Sequence, residues 1–173
     1  MKNIKKKGNR GELLVCKMFN ERFGGGFNRV PNSGAYGSTH NLSKAMTVSM
    51  AGDLICPENF RFCVECKTGY DLDLQDLFVL NKSMWFSFLD QVMKDSERSG
   101  LQPMVIYKKD RKKPLMIVLN ESILFLYIKN TSFNNINCVM NFKYENKFWT
   151  LMDFESVLKN APENFWFKLG EIK

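Results

Sequence analysis

Two short apolar runs carry charged residues at positions that decide what this chain can build. The first opens on Gly52-Asp53-Leu54-Ile55, and the second reads Phe62-Cys63-Val64-Glu65-Cys66-Lys67. Side chains alternate along a strand, so Cys63, Glu65 and Lys67 share one face. Phe62, Val64 and Cys66 share the other, which is expected to be the buried one. Pro57-Glu58-Asn59 supplies a turn between the runs, and the spacing predicts a β-hairpin. Asp53 then approaches Glu65 across that hairpin, with Lys67 beside them. Any fold the chain adopts must accommodate two carboxylates and an ammonium at one point of a largely apolar strand.

Such a trio suits a divalent cation and a phosphodiester. Paired carboxylates favour Mg²⁺, with Mn²⁺ as a substitute, because both are hard cations that prefer oxygen ligands. The backbone carbonyl of Cys66, between Glu65 and Lys67, is a further candidate ligand. A bound cation acidifies water and neutralises charge on a scissile phosphate. Lys67, next to carboxylates, is expected to stay protonated and to act electrostatically, not as a base. Glu12 has two readings. It can supply another oxygen to the same pocket, or it can close a capping box with Asn9 three residues earlier.

Charge points to a polyanionic partner. The chain of 173 residues carries a formal charge of +7 and has a pI of about 9.2. The excess is uneven: Lys2, Lys5, Lys6, Lys7 and Arg10 form a basic arm over residues 1–9 and just beyond, and Lys108, Lys109, Arg111, Lys112 and Lys113 form a second run. Both are candidate contacts to a phosphate backbone flanking the acidic pocket. The five cysteines are odd in number, and Met1-Lys2-Asn3 leads into charge, not an apolar segment, so a reducing cytoplasm is expected. No run has the length a membrane helix needs. Cys63-x-x-Cys66 is a poor zinc motif, because on a strand its thiols face opposite ways and His40 is the sole histidine. Gly24-Gly25-Gly26 follows a helix, so it is not a nucleotide-binding fingerprint.

Along the chain, Asn9 is expected to cap a helix over residues 10–23 that the three glycines end. Residues 27–30 form a short strand candidate. Residues 31–51, rich in Ser, Gly, Asn and Thr, are expected to be a substrate-contact loop. The clearest helix spans 83–99, where Trp85, Phe88, Leu89, Val92 and Met93 recur at helical spacing and Gly100 closes it. Strands follow over 103–107 and 114–119, joined by the basic turn. Residues 123–128 read equally as strand or helix, and 131–141 read as an Asn-rich loop. A strand over 148–152 leads to a short helix over 153–160 capped by Asp153. Residues 121–173 read as an extension of a single domain spanning 1–173. Phe165-Trp166-Phe167 fits either the core or a dimer surface. The pattern is α/β (α+β), a mixed sheet flanked by helices.

The ordered set Gly11-Glu12, Arg29-Val30-Pro31-Asn32-Ser33-Gly34, Gly52-Asp53 and Val64-Glu65-Cys66-Lys67 resembles the archaeal-type Holliday junction resolvases, members of the PD-(D/E)xK nuclease superfamily with relatives in phages. The resemblance covers roughly residues 7–107. It implies a restriction-endonuclease-like fold, with Asp53, Glu65 and Lys67 as the catalytic core and Glu12 completing the metal site. It also implies a cleavage role for Ser33 and a backbone contact for Arg29. Together with Lys5, Lys6, Lys7 and Arg10, and with Lys44 in the loop, these form the expected DNA-binding set. Gly52 stands where the motif has proline, and the segment 35–51, carrying His40 and Lys44, is longer than in small resolvases. The activity implied is metal-dependent hydrolysis of four-way or other branched DNA by a homodimer, with metal-activated water as the attacking species. Other DNA targets (restriction, repair, end processing) and a non-catalytic DNA-binding role are the alternatives. Trp85 and Gln91 resemble positions in phage relatives. Trp85 lies on the apolar face and is expected in the core, whereas Gln91 is placed to reach the site.

Overall fold

A computed structural model of the chain describes residues 2–31, 48, 50–78, 83–129 and 135–168. Helix α1 (Lys2–Phe23) precedes two short strands, β1 (Asn28–Arg29) and β2 (Leu54–Ile55). Strand β3 (Phe62–Thr68) leads through a 3₁₀ turn (Leu74–Phe78) into α2 (Met84–Ser99) and then β4 (Gln102–Lys108). The chain continues as β5 (Leu115–Leu119), α3 (Asn120–Lys129), β6 (Cys138–Tyr144), β7 (Lys147–Asp153), α4 (Phe154–Asn160) and α5 (Glu163–Trp166). Five strands form one mixed sheet in the order β3-β4-β5-β7-β6. β3 and β4 are parallel, and the remaining neighbours are antiparallel. This is the mixed sheet flanked by helices that the sequence pattern predicts, a restriction-endonuclease-like architecture. Among the described residues no helix is long and apolar enough to cross a membrane.

Each face of the sheet has its own core. On one face Val15, Cys16 and Phe19 of α1 meet Phe62, Val64 and Cys66 of β3, with residues of α3, α4 and α5 closing the layer. On the other face α2 lays Trp85, Phe88, Leu89 and Val92 over Cys63, Val105, Tyr107 and Ile117. That face of α2 follows from apolar residues spaced three and four apart. Ser83 caps the helix, its hydroxyl accepting from the Trp85 N–H at 3.3 Å. Gly100 ends it at φ 72, a left-handed conformation that glycine adopts without a Cβ penalty. Trp85 is fully buried and its indole N–H donates to the Asp73 carbonyl at 3.0 Å, so it is a core residue.

Several expectations need correction. The first helix starts at Lys2, not near Arg10, because the basic arm consists largely of good helix formers. Asn9 is therefore interior and closes no capping box with Glu12. The β2–β3 hairpin does not form. β2 pairs antiparallel with β1, Asn28 opposite Ile55 and Arg29 opposite Leu54. β3 instead pairs in parallel with β4 across the α2 connection. Nor is β3 buried on one face only, since helices cover both sides and Cys63 is as inaccessible as Val64. Residues 138–141 belong to β6, not to a loop; the polar Asn141 sits there because Thr150 opposite it donates a 2.7 Å hydrogen bond to its side-chain carbonyl. Residues 123–128, left open between strand and helix by the sequence, are helical, within α3.

The expected short helix after β7 forms, with the Asp153 carboxylate accepting from the Ser156 N–H at 2.9 Å. Phe165 and Trp166 enter the core beneath α1, where Phe19 meets Trp166 edge-on at 5.6 Å. Backbone bonds tie this end of the chain to the segment before β3: Arg61 N–H to the Trp166 carbonyl at 2.9 Å, and Lys168 N–H to the Asn59 carbonyl at 2.8 Å.

Candidate active site

β3 is an edge strand of the five-stranded sheet, and its outer edge is where the acidic residues gather. Gly52 forms an isolated parallel bridge to Val64. It adopts φ 76, and a Cβ there would lie 3.0 Å from the Val64 carbonyl carbon and collide with its oxygen. Only glycine permits this approach, which accounts for its presence where the motif has proline. The next residue is then locked to β3 twice. The Asp53 N–H donates to the Val64 carbonyl, and the Asp53 carboxylate accepts from the Cys66 N–H, each at 2.8 Å. A strand residue turns its N–H and C=O to the same edge. The Cys66 carbonyl therefore faces the same side as the Asp53 carboxylate.

Glu65 projects toward α2. It is 2% exposed and accepts a 2.5 Å hydrogen bond from Lys67 Nζ. Lys67 also donates to the Gln91 side-chain carbonyl at 2.8 Å and lies 5.1 Å from the centre of the Phe88 ring. The ammonium is thus held by a carboxylate, an amide and an aromatic face. Burial pushes the Glu65 carboxyl up from 4.5 to about 8, with the Asp53 charge adding to the rise and Lys67 opposing it. Burial also raises Asp53, and Glu12 adds to that, against the Cys66 N–H that favours its charged form. Asp53 thus disfavours charge on Glu65, as Glu12 does on Asp53, and the crowded carboxyls form an anionic site in need of a cation.

Glu12 reaches the cluster because of the residue before it. A Cβ on Gly11 would fall 2.6 Å from Thr68 Cβ and closer still to its hydroxyl. The bare helix face lets α1 cross β3 at its C-terminal end and carries Glu12, 7% exposed, into the same electrostatic neighbourhood as Asp53. Its carboxylate accepts from Arg29 Nε across a short ion pair. Arg29, expected as a backbone contact, is thus engaged inside the protein by Glu12.

The structure therefore brings together Glu12, Arg29, Asp53, Glu65, Lys67 and the Cys66 backbone. Gln91 reaches the site as expected. Arg10 is exposed on the helix turn before Glu12, and Lys5, Lys6 and Lys7 belong to α1. Ser33, His40 and Lys44 lie outside the described residues. Asp95, one helical turn beyond Gln91, also faces the cluster electrostatically. Only its position four residues after Gln91 hinted at this. Among the described residues no group of three or more His, Cys, Asp and Glu side chains is arranged to hold a metal ion. Glu12 is turned to Arg29 and Glu65 to Lys67. In chemistry the donor set still fits a hard cation: carboxylate oxygens, two of them on carboxyls driven upward by burial, beside a backbone carbonyl. Zinc does not fit, because Cys63 and Cys66 lie in different cores on opposite faces of the sheet.

A phage protein, "Protein D14" of Escherichia phage T5, is 32% identical over 112 residues, which cover 62% of this chain and 65% of that protein. The chain thus spans slightly less than two thirds of that relative's length. No solved structure matches the chain. The family described as "Phage putative PDDEXK endonuclease" matches over residues 3–167, the span from the first turns of α1 to the end of the aromatic C-terminal segment, and the chain belongs to that family.

Proposed function

We propose that the chain is a Mg²⁺-dependent endodeoxyribonuclease that hydrolyses phosphodiesters in four-way or other branched DNA. A PD-(D/E)xK-type nuclease acting on DNA is what the family assignment supports. The observation that carries the finer reading is the convergence of Asp53, Glu65 and Lys67 on one edge strand, with Glu12 and Arg29 beside them. Asp53 and Glu65, with Glu12 and the Cys66 carbonyl, are the oxygens that would hold Mg²⁺ or Mn²⁺. When bound, the cation acidifies water and neutralises charge on the scissile phosphate. Asp53 brings to this a carboxylate fixed by its backbone bond to Val64. Lys67, steadied by Gln91, offers an oriented ammonium to charge developing on the phosphoryl oxygens. A homodimer would present one such site to each of two opposed strands of a two-fold junction.

The test is cleavage of four substrates of equal length (a four-way junction, a flap, a nicked duplex and a linear duplex) with Mg²⁺ and with chelator. Junction cleavage that needs Mg²⁺, with paired cuts on opposed strands, is expected. Asp53→Asn and Glu65→Gln should lose cleavage while still shifting the junction in a gel. Equal cutting of linear duplex would replace the junction reading with a general DNA nuclease. Binding without cleavage in either metal would leave a non-catalytic DNA-binding protein of this fold.

A further inference from the structure

We propose that the turn between β4 and β5 is a second DNA-backbone contact, with Arg111 and Lys112 as its phosphate-binding pair; this rests on the nuclease reading above. Register fixes where the turn lies. Thr68, the last residue of β3, is paired with Lys108, the last residue of β4. Because the two strands are parallel, the turn leaves the sheet at the end that carries Glu65 and Lys67. α1 crosses the same end at Gly11. Its preceding residues run beyond the strand for about 14 Å at ~1.5 Å per residue. Two basic elements therefore flank the acid cluster on one end of the molecule.

The five cations of the turn are not equivalent. Lys108 Nζ folds back onto the carbonyls of Lys109, at 3.1 Å, and Lys112, at 2.5 Å. Lys109 pairs with Asp71 at 2.6 Å and Asp73 at 3.0 Å. Lys113 pairs with Glu155 at 3.1 Å. Those three cations hold the turn together and strap it to its neighbours, Lys109 to the segment that follows β3 and Lys113 to α4. Arg111 and Lys112 are exposed, and neither enters an ion pair among the described residues. Arg111 also adopts φ 59, a left-handed conformation that glycine or asparagine would hold more readily. An arginine at that position works against turn chemistry, which fits a residue present for its charge. From Glu65 to Thr68, which lies level with Lys108 at the base of the turn, β3 extends about 10 Å at ~3.3 Å per residue. That reach is comparable with the ~12 Å width of a DNA major groove. The acid cluster and the turn can thus contact backbone on the two sides of one groove.

The experiment is the salt dependence of binding to a fixed four-way junction and to linear duplex, with chelator present. Wild type is compared with Arg111→Asn/Lys112→Gln, asparagine being chosen for the left-handed backbone, and with Lys112→Gln alone. The control is Lys143→Gln/Lys147→Gln, which removes two charges at the far edge of the sheet, on β6 and β7. The log–log salt slope should become shallower by about 1.8 for the double variant and about 0.9 for the single one. The control should keep the wild-type slope. A turn variant that binds with the wild-type slope, or a control that loses as much, overturns the inference and leaves the nuclease reading intact. Wild type that neither binds nor cuts DNA overturns both.

Discussion

Glu65→Gln should make the metal-free protein more stable at neutral and alkaline pH while abolishing cleavage. Glu65 is 2% exposed, and burial followed by the Asp53 charge raises its carboxyl from 4.5 to about 8. A carboxyl raised in the folded state binds a proton there that the unfolded chain has already released. Stability is therefore complete below the unfolded value and is lost as pH rises from about 4.5 to about 8. Each pH unit in that window is worth about 1.4 kcal/mol, so the loss is roughly 3 kcal/mol at pH 7 and levels off at about 5 kcal/mol above pH 8. Glutamine has the same shape, still accepts the Lys67 hydrogen bond and carries no charge to desolvate. Urea unfolding of both proteins in chelator, at intervals from pH 5 to 9, isolates the difference. The two should agree near pH 5, and the variant should lead by a few kcal/mol at pH 8. Millimolar Mg²⁺ should recover part of the gap in wild type alone, by about 1.4 kcal/mol when its concentration is ten times the dissociation constant. Parallel pH profiles, or equal stabilisation of both proteins by Mg²⁺, would refute the picture of a desolvated acid awaiting a cation.

Three other outcomes follow from particular contacts. Gly52→Ala must place a Cβ against the Val64 carbonyl at φ 76; we expect a loss of about 2–4 kcal/mol in urea unfolding, and a loss below about 1 kcal/mol would contradict the close approach. Lys67→Ala should lower turnover by about 10²–10³ with junction affinity kept, and Gln91→Ala should lower it less, since it touches only the ammonium; a larger fall in the Gln91 variant would reverse the assigned roles. Trp166→Ala empties a site ringed by Phe19, Phe23 and Phe60 and should cost about 3–5 kcal/mol; calorimetry showing an unchanged melting temperature would place Trp166 outside the core.

The elements with strong local signals were legible in the sequence. Helix α2 forms over nearly the predicted span and ends at Gly100 as expected, because Ser83, the apolar spacing and Gly100 all act within a few residues. Asp153 announced α4 in the same way. Pairing partners were less accessible. Alternation shows which side chains share a face, but not which neighbour a strand finds, so β2 and β3 read as a hairpin although each pairs elsewhere. The acidic cluster formed in spite of that error. The Gly52 bridge delivers Asp53 to β3 in parallel, where a hairpin would have delivered it antiparallel. Glu12 stayed ambiguous in the sequence because its placement depends on Gly11 meeting Thr68, a contact between residues far apart along the chain. The ion pair between Glu12 and Arg29 likewise joins separate elements, α1 and β1.

The bonds from Arg61 to Trp166 and from Lys168 to Asn59 have a consequence for the order of events during translation. The segment that delivers the chain into β3 is fastened by residues synthesised long after it. A nascent chain that has reached only β5 possesses every acid of the cluster but lacks the clasp and the aromatic floor beneath α1. Those two backbone bonds can close only after residues 163–168 emerge from the ribosome, well after the acids themselves have been synthesised.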